Sequence, residues 1–181
     1  IGILALAVEG MLFPAISKLH SSRKSQEVQL LVHDAERYVA MVCMPLVVMT
    51  IVWSSEIIEV FISREFLPAS TILKLLALAA LIRVVNRPWS VALRGSDRPD
   101  LTSLVNILAA SLSIILMLFL VPKSIPHLGL NDLPGLGGEG AALSLLSSEI
   151  FLGISLRILC YLHLKILPRP IFFAQLFVAV L

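Results

Sequence analysis

Residues 101–121 read LTSLVNILAASLSIILMLFLV, a run without a single charged side chain. At about 1.5 Å per residue it is about 30 Å long as a helix, the thickness of the hydrocarbon core of a bilayer. Polar and turn-forming residues bound it on both sides, Arg98, Pro99 and Asp100 before and Pro122 and Lys123 after. In lipid a helix satisfies its own backbone polar groups, whereas an isolated extended run of this length would leave them unpaired. The stretch therefore reads as a membrane-spanning helix, and the remainder of the chain follows from it.

Of the 181 residues, 58% are hydrophobic and 14% charged, with a mean hydropathy of +0.96. Soluble domains run about 45–50% apolar and about 25% charged. That balance excludes a water-soluble globule, a disordered chain and a collagen-like chain, and makes the lipid bilayer the partner of most of the surface. The net charge is only +2, and no clustered basic face suggests a nucleic-acid partner.

Scanning outward from residues 101–121 gives an all-α fold, a polytopic transmembrane helix bundle, in one transmembrane region over 1–181. Its spans are expected at about 1–17, 38–62, 71–92, 101–121, 140–164 and 171–181. The first and last are short of the ~20 residues a span requires. Ile1 opens an apolar stretch with no Met, basic n-region or cleavage site, so it reads as a helix already under way and not as a signal peptide. Both ends are expected to be cuts within membrane helices of a longer chain. Cys43 and Cys160 lie inside apolar runs and read as small buried hydrophobes.

Basic residues collect in cytoplasmic loops. Lys18, Arg23, Lys24 and Arg37, then Arg83, Arg87, Arg94 and Arg98, then Arg157, Lys165 and Arg169 fall at every second connection, 11 of the 14, leaving Arg64, Lys74 and Lys123 for the other side. Loops 18–37, 93–100 and 165–170 are thus expected to be cytoplasmic, with 63–70 and 122–139 external, in the plasma (inner) membrane. Tyr38, Trp53, Trp89 and Tyr161 stand near span ends, where interfacial aromatics sit.

Within the spans the rare charges carry the functional information. Arg83 lies near the middle of its span, where an arginine costs about 2.5–3.5 kcal/mol on insertion scales. At 100° per residue Arg83, Arg87, Ser90 and Arg94 share about a third of the helix circumference, with Asn86 at its edge. Such a stripe is a candidate site for an anionic group; the plainer reading makes Arg87 and Arg94 positive-inside anchors and lets Arg83 snorkel. Glu149 is an acid near mid-membrane, with Gly153 and Arg157 on the same face, and it reads equally as an ion-coupling group or as the salt-bridge partner of Arg83. Glu9 has a similar place in the first segment. Glu56 and Glu59 read as interfacial. Ser103, Asn106, Ala110 and Ser113 form one polar-small stripe, and Ala141, Ser144, Ser148 and Ser155 another, both first read as close helix packing with interhelical hydrogen bonds. Pro88 either kinks its helix or marks where the helix leaves the membrane.

Other signals carry less. Gly135, Gly137 and Gly140 spell G-x-G-x-x-G without a preceding strand, so they read as an external loop and a helix start at Gly140. His20, His33, His127 and His163 show no metal-ligand spacing, and no catalytic constellation emerges. Neither a metal nor a cofactor is expected, and the chain does not read as an enzyme.

The order of short motifs resembles the second half of the polysaccharide-type flippases of the multidrug/oligosaccharidyl-lipid/polysaccharide exporter superfamily. The motifs are Leu12-Phe13-Pro14-Ala15-Ile16-Ser17, Arg37-Tyr38, Met44-Pro45-Leu46, Ser55-Glu56-Ile57-Ile58 with Val60-Phe61, and Phe66-Leu67-Pro68-Ala69. They continue with Ala92-Leu93-Arg94-Gly95, Leu120-Val121-Pro122, Gly138-Glu139-Gly140-Ala141-Ala142 and Ser148-Glu149. Ile62-Ser63-Arg64 departs from the Phe-Gly pair usual there, and the stretch from Lys123 to Gly137 exceeds the usual short hairpin.

The resemblance implies part of the C-terminal lobe of an inverted two-lobe transporter. It implies export of a lipid-pyrophosphate-linked oligosaccharide by alternating access, with a polyprenyl-pyrophosphate-linked sugar as substrate. Coupling to a proton or sodium gradient and partners in polysaccharide assembly would follow. Arg83, Arg87 and Arg94 would then meet pyrophosphate, and Glu149 and Glu9 would couple an ion or pair with the arginines. The alternatives are a peptidoglycan-precursor flippase or a multidrug exporter of the same fold, a polytopic glycosyltransferase or acyltransferase, and a structural membrane subunit. Reporter fusions should give a cytoplasmic signal in 18–37, 93–100 and 165–170 and an external one in 63–70 and 122–139; the reverse pattern at any loop refutes the sidedness.

Overall fold

Where lipid replaces water, backbone donors and acceptors find partners inside the chain, and each segment winds into a helix. A computed structural model describes residues 2–22, 24–123 and 134–166, with side chains from Glu9 onward. Among them the elements are α1 (Gly2–Ser21), α2 (Ser25–Val52), α3 (Ser54–Phe61), a 3₁₀ turn (Arg64–Ala69), α4 (Ser70–Gly95), α5 (Pro99–Leu120) and α6 (Gly137–Leu164). Among the described residues four helical stretches are long and apolar enough to cross a membrane: α2, the 3₁₀ turn continued by α4, α5 and α6. The chain is a polytopic transmembrane helix bundle. The expected segment 171–181, together with His127 and most of loops 122–139 and 165–170, lies outside the described residues.

Three boundaries differ from the sequence reading, the smallest being the start of α6 at Gly137 where Gly140 is expected. The expected loop 18–37 is mostly helix, because α1 runs to Ser21 and α2 begins at Ser25. Residues 25–37 are amphipathic, and Val28 and Val32, four apart, are buried at 2% and 0% exposure. A search for unbroken apolar runs passes over such a helix, although its stripe buries well. The expected span 38–62 is instead the latter part of α2, a break at Trp53 and the short α3. Helix α4 continues through Pro88 to Gly95, so Pro88 does not end it.

Helix α4 is the hub. At one end Trp89, Val91, Ala92 and Leu93 pack with Leu12 and Ile16 of α1, Val28 and Val32 of α2, and Leu156 and Cys160 of α6. Further along, Ala77, Leu81, Val84 and Val85 pack with Val39, Ala40, Cys43 and Val47 of α2. Both cysteines are free and buried, as read from the sequence. Outer faces remain apolar and exposed, for example Leu104, Ile107, Ile114, Ile115 and Leu118 on α5, as a lipid-facing surface requires.

Close backbone approach needs residues without side chains at two points. A Cβ on Gly95 would stand 2.8 Å from Ile16 Cγ2, where α1 crosses α4. A Cβ on Gly140 would stand 2.7 Å from the Leu120 carbonyl oxygen, where α5 hands over to α6. The neighbour at Gly140 is backbone and cannot swing away. Gly140→Ala should therefore destabilise the bundle by about 1–3 kcal/mol, read as a lower thermal midpoint in detergent; an unchanged midpoint would contradict this packing.

Candidate functional site

The 100° step of α4 places Arg83, Arg87, Ser90 and Arg94 along one cleft of about 320 Å³, together with Asn86. Thr102, Ser103 and Asn106 of α5 form its uncharged polar wall, and Glu149, Leu152 and Leu156 of α6 close it. The stripe on α5 thus divides. Ser103 and Asn106 line the cleft, and Ser103, Asn106 and Ala110 are exposed, and not closely packed as expected, since the residues that α5 buries are Thr102, Val105 and Ala109 beside the stripe. The expected interhelical hydrogen bonds of the α6 stripe are not formed by Ser144 and Ser148. Their hydroxyls donate to Ala141 and Leu145 carbonyls of their own helix.

Each arginine of the stripe meets a carboxylate from another helix. Arg83 Nε donates to Glu149 Oε1 at 2.7 Å, so the salt bridge raised as one reading of Glu149 is formed. Glu9 of α1 holds the other two: its Oε2 lies 3.2 Å from Arg87 Nη1 and its Oε1 lies 2.7 Å from Arg94 Nη2. The cleft therefore presents three guanidiniums against two carboxylates, one positive charge in excess and not a bare cationic stripe. The arginine side chains stay accessible, at 52%, 40% and 31% for Arg83, Arg87 and Arg94. Glu149 is only 10% exposed, and its Oε2 is buried with no hydrogen-bond partner among the described residues.

Behind the cleft lies a buried polar network that the sequence did not disclose. Asn86 Nδ2 donates to the Glu149 carbonyl at 3.0 Å, and Arg157 Nη1 donates to Asn86 Oδ1 at 2.8 Å and to the Gly153 carbonyl at 3.1 Å. Arg157 Nη2 reaches Glu36 Oε1 of α2 at 2.5 Å. The guanidinium also lies 5.0 Å from the ring centroid of Trp89, against which His33 packs edge-on at 5.7 Å. Gly153 leaves room for Asn86, since a Cβ there would stand 2.5 Å from Asn86 Oδ1.

Two sequence readings are corrected by this network. Arg157, counted among the loop cations, is 6% exposed inside the bundle, and Trp89, read as interfacial, is fully buried. Glu36, within the expected loop 18–37, is likewise buried, on α2. The available signal was the placement of Arg157 within an otherwise apolar helix, since a charge there requires a partner.

Comparison with known proteins adds a likeness over part of the chain. Residues 2–71 match the polysaccharide biosynthesis protein family. The resemblance read from the motifs is borne out over α1, α2, α3 and the 3₁₀ turn, the part that carries Glu9 and Glu36. An uncharacterized membrane protein of Methanocaldococcus jannaschii is 24% identical over 119 residues, 66% of this chain. The matched stretch covers 24% of that relative's length. No solved structure matches the chain. The family match ends before the arginines of α4, so their role rests on the geometry of the cleft.

The Glu36–Arg157 pair has an energetic signature. Removing one partner strands a buried charge, at about 3–5 kcal/mol, whereas replacing both with apolar residues is often neutral. Glu36→Leu alone should lower the thermal midpoint well below that of Glu36→Leu/Arg157→Leu; a double variant less stable than the single one would argue against a buried ion pair.

Proposed function

We propose that this chain forms part of an exporter that moves a lipid-diphosphate-linked oligosaccharide from the cytoplasmic to the external leaflet of the plasma membrane by alternating access. The observation that carries the proposal is the cleft of α4, with three accessible guanidiniums facing an uncharged polar wall of Thr102, Ser103 and Asn106. Guanidinium groups pair bidentately with phosphate oxygens. Neutral polar side chains suit the hydroxyls of the attached sugar. The matched family's part in polysaccharide biosynthesis supports a substrate of this kind.

A multidrug exporter selecting cationic compounds would call for an excess of acids, but the described cleft has an excess of one base. Glu149 is the group we assign to coupling with a proton or sodium gradient, because its second oxygen is buried without a donor and an added cation would satisfy it. The basic loops would face the cytoplasm, where the substrate is loaded.

Arg83→Ala should abolish export of the lipid-linked sugar at normal protein levels, and Arg83→Lys should retain part of it, because an ammonium keeps the charge but loses the planar fork. Accumulation of lipid-linked sugar in the inner leaflet is the readout. Full export by the alanine variant would overturn the proposal.

A further inference from the structure

Glu9 is held differently from Glu149. Its two oxygens bridge two guanidiniums, Arg87 and Arg94, which lie seven residues apart on α4. This is the arrangement that two non-bridging oxygens of a phosphate group would take on the same pair. Glu9 is 23% exposed, and among the described residues these two arginines are its only polar partners. Glu149, by contrast, is sunk at 10% exposure in a helix whose backbone is pinned by Asn86, itself bonded to Arg157.

We infer that Glu9 is a resident stand-in for the substrate's phosphate, occupying Arg87 and Arg94 until a diphosphate displaces it. The inference rests on the proposed function above and adds how the same site is regulated. Charge balance favours exchange over simple addition. A diphosphate diester brings two negative charges, so added beside both carboxylates it would leave the cleft with a negative excess. With Glu9 displaced, the three guanidiniums face Glu149 and the diphosphate, and the cleft is neutral. Unpaired charge is expensive within a membrane-embedded bundle, so the neutral combination is preferred.

Displacement also has a mechanical path. Helix α1 is anchored on α4 through Leu12 and Ile16, beyond Glu9 in sequence. Pro14 lies inside α1 and cannot donate a backbone hydrogen bond to the Gly10 carbonyl. A Cβ on Gly10 would meet nothing within 4 Å. The weakened turn from Gly10 to Pro14 contains Leu12 and lies between Glu9 and the fully buried Ile16, and loss of the ion pairs lets the helix bend there and carry Glu9 away from α4. Substrate binding and movement of α1 become one event.

The test is binding of a sugar-capped farnesyl diphosphate, a diester with the same two negative charges, to the purified protein made from its whole reading frame, with farnesol as the uncharged control. Glu9→Gln removes the competing anion and should tighten binding of the diester on the order of tenfold, leaving farnesol unchanged. Glu9→Asp, one methylene too short to bridge both guanidiniums, should tighten it by less, and it decides the matter if Glu9→Gln does not fold. Unchanged or weaker binding in these variants, while wild type binds and Arg83→Ala weakens binding, would overturn the stand-in role and leave the proposed function intact. Equal tightening toward farnesol would overturn it as well. Failure of both wild type and the Glu9 variants to bind the diester would overturn both proposals.

Discussion

A guanidinium carried into a membrane-embedded bundle must meet an anion, and in this protein that requirement ties the helices together. Arg87 and Arg94 join α4 to Glu9 of α1, Arg83 joins α4 to Glu149 of α6, and Arg157 joins α6 to Glu36 of α2. Apolar packing alone offers little preference for one rotation of a helix over another when lipid is as apolar as the neighbouring side chains. Paired charges specify the rotation, because a helix turned away from its partner leaves an uncompensated charge. Helix α5 has no such tie in its apolar span, and it is placed by close contact at Gly140 and by the small residues Thr102 and Ala109.

The same charges divide into two environments. Arg157 and Glu36 are dry, at 7% and 9% side-chain exposure, and Asn86 and Trp89 complete their surroundings. A pair of this kind contributes little net stability over an apolar equivalent, but it penalises misassembly. The arginines of the cleft are paired yet accessible, so their partners can be exchanged. Asn86 belongs to both environments, since it lines the cleft and accepts from Arg157. It is the point at which the rigid interior positions the accessible site.

Much of this was legible in the amino-acid order, and the exceptions have a common cause. The run 101–121, the composition and the spacing of Arg83, Arg87, Ser90 and Arg94 led directly to a membrane bundle with a polar face on one helix. The first part of α2 was missed because its stripe is amphipathic, so Val28 and Val32 did not register as part of an apolar run. With that helix read as a loop, Glu36 had no place inside the bundle, and Arg157 was counted with the loop cations. Trp89 reads as interfacial because it stands near the end of the expected span 71–92, whereas the fold turns it inward against Arg157 and His33.

The sequence by itself determined which elements form and which residues share a face, because both follow from the 1.5 Å rise and 100° step of a helix within one segment. Only the tertiary structure decided who meets whom. Arg83 and Glu149 are 66 residues apart in the chain, and Arg157 and Glu36 are 121 apart. No local rule connects positions so distant, because their distance in space depends on how each helix is rotated and stacked against α4. That is why a stripe of three arginines was readable beforehand, whereas its near-neutrality, with Glu9 bridging two of them, was not.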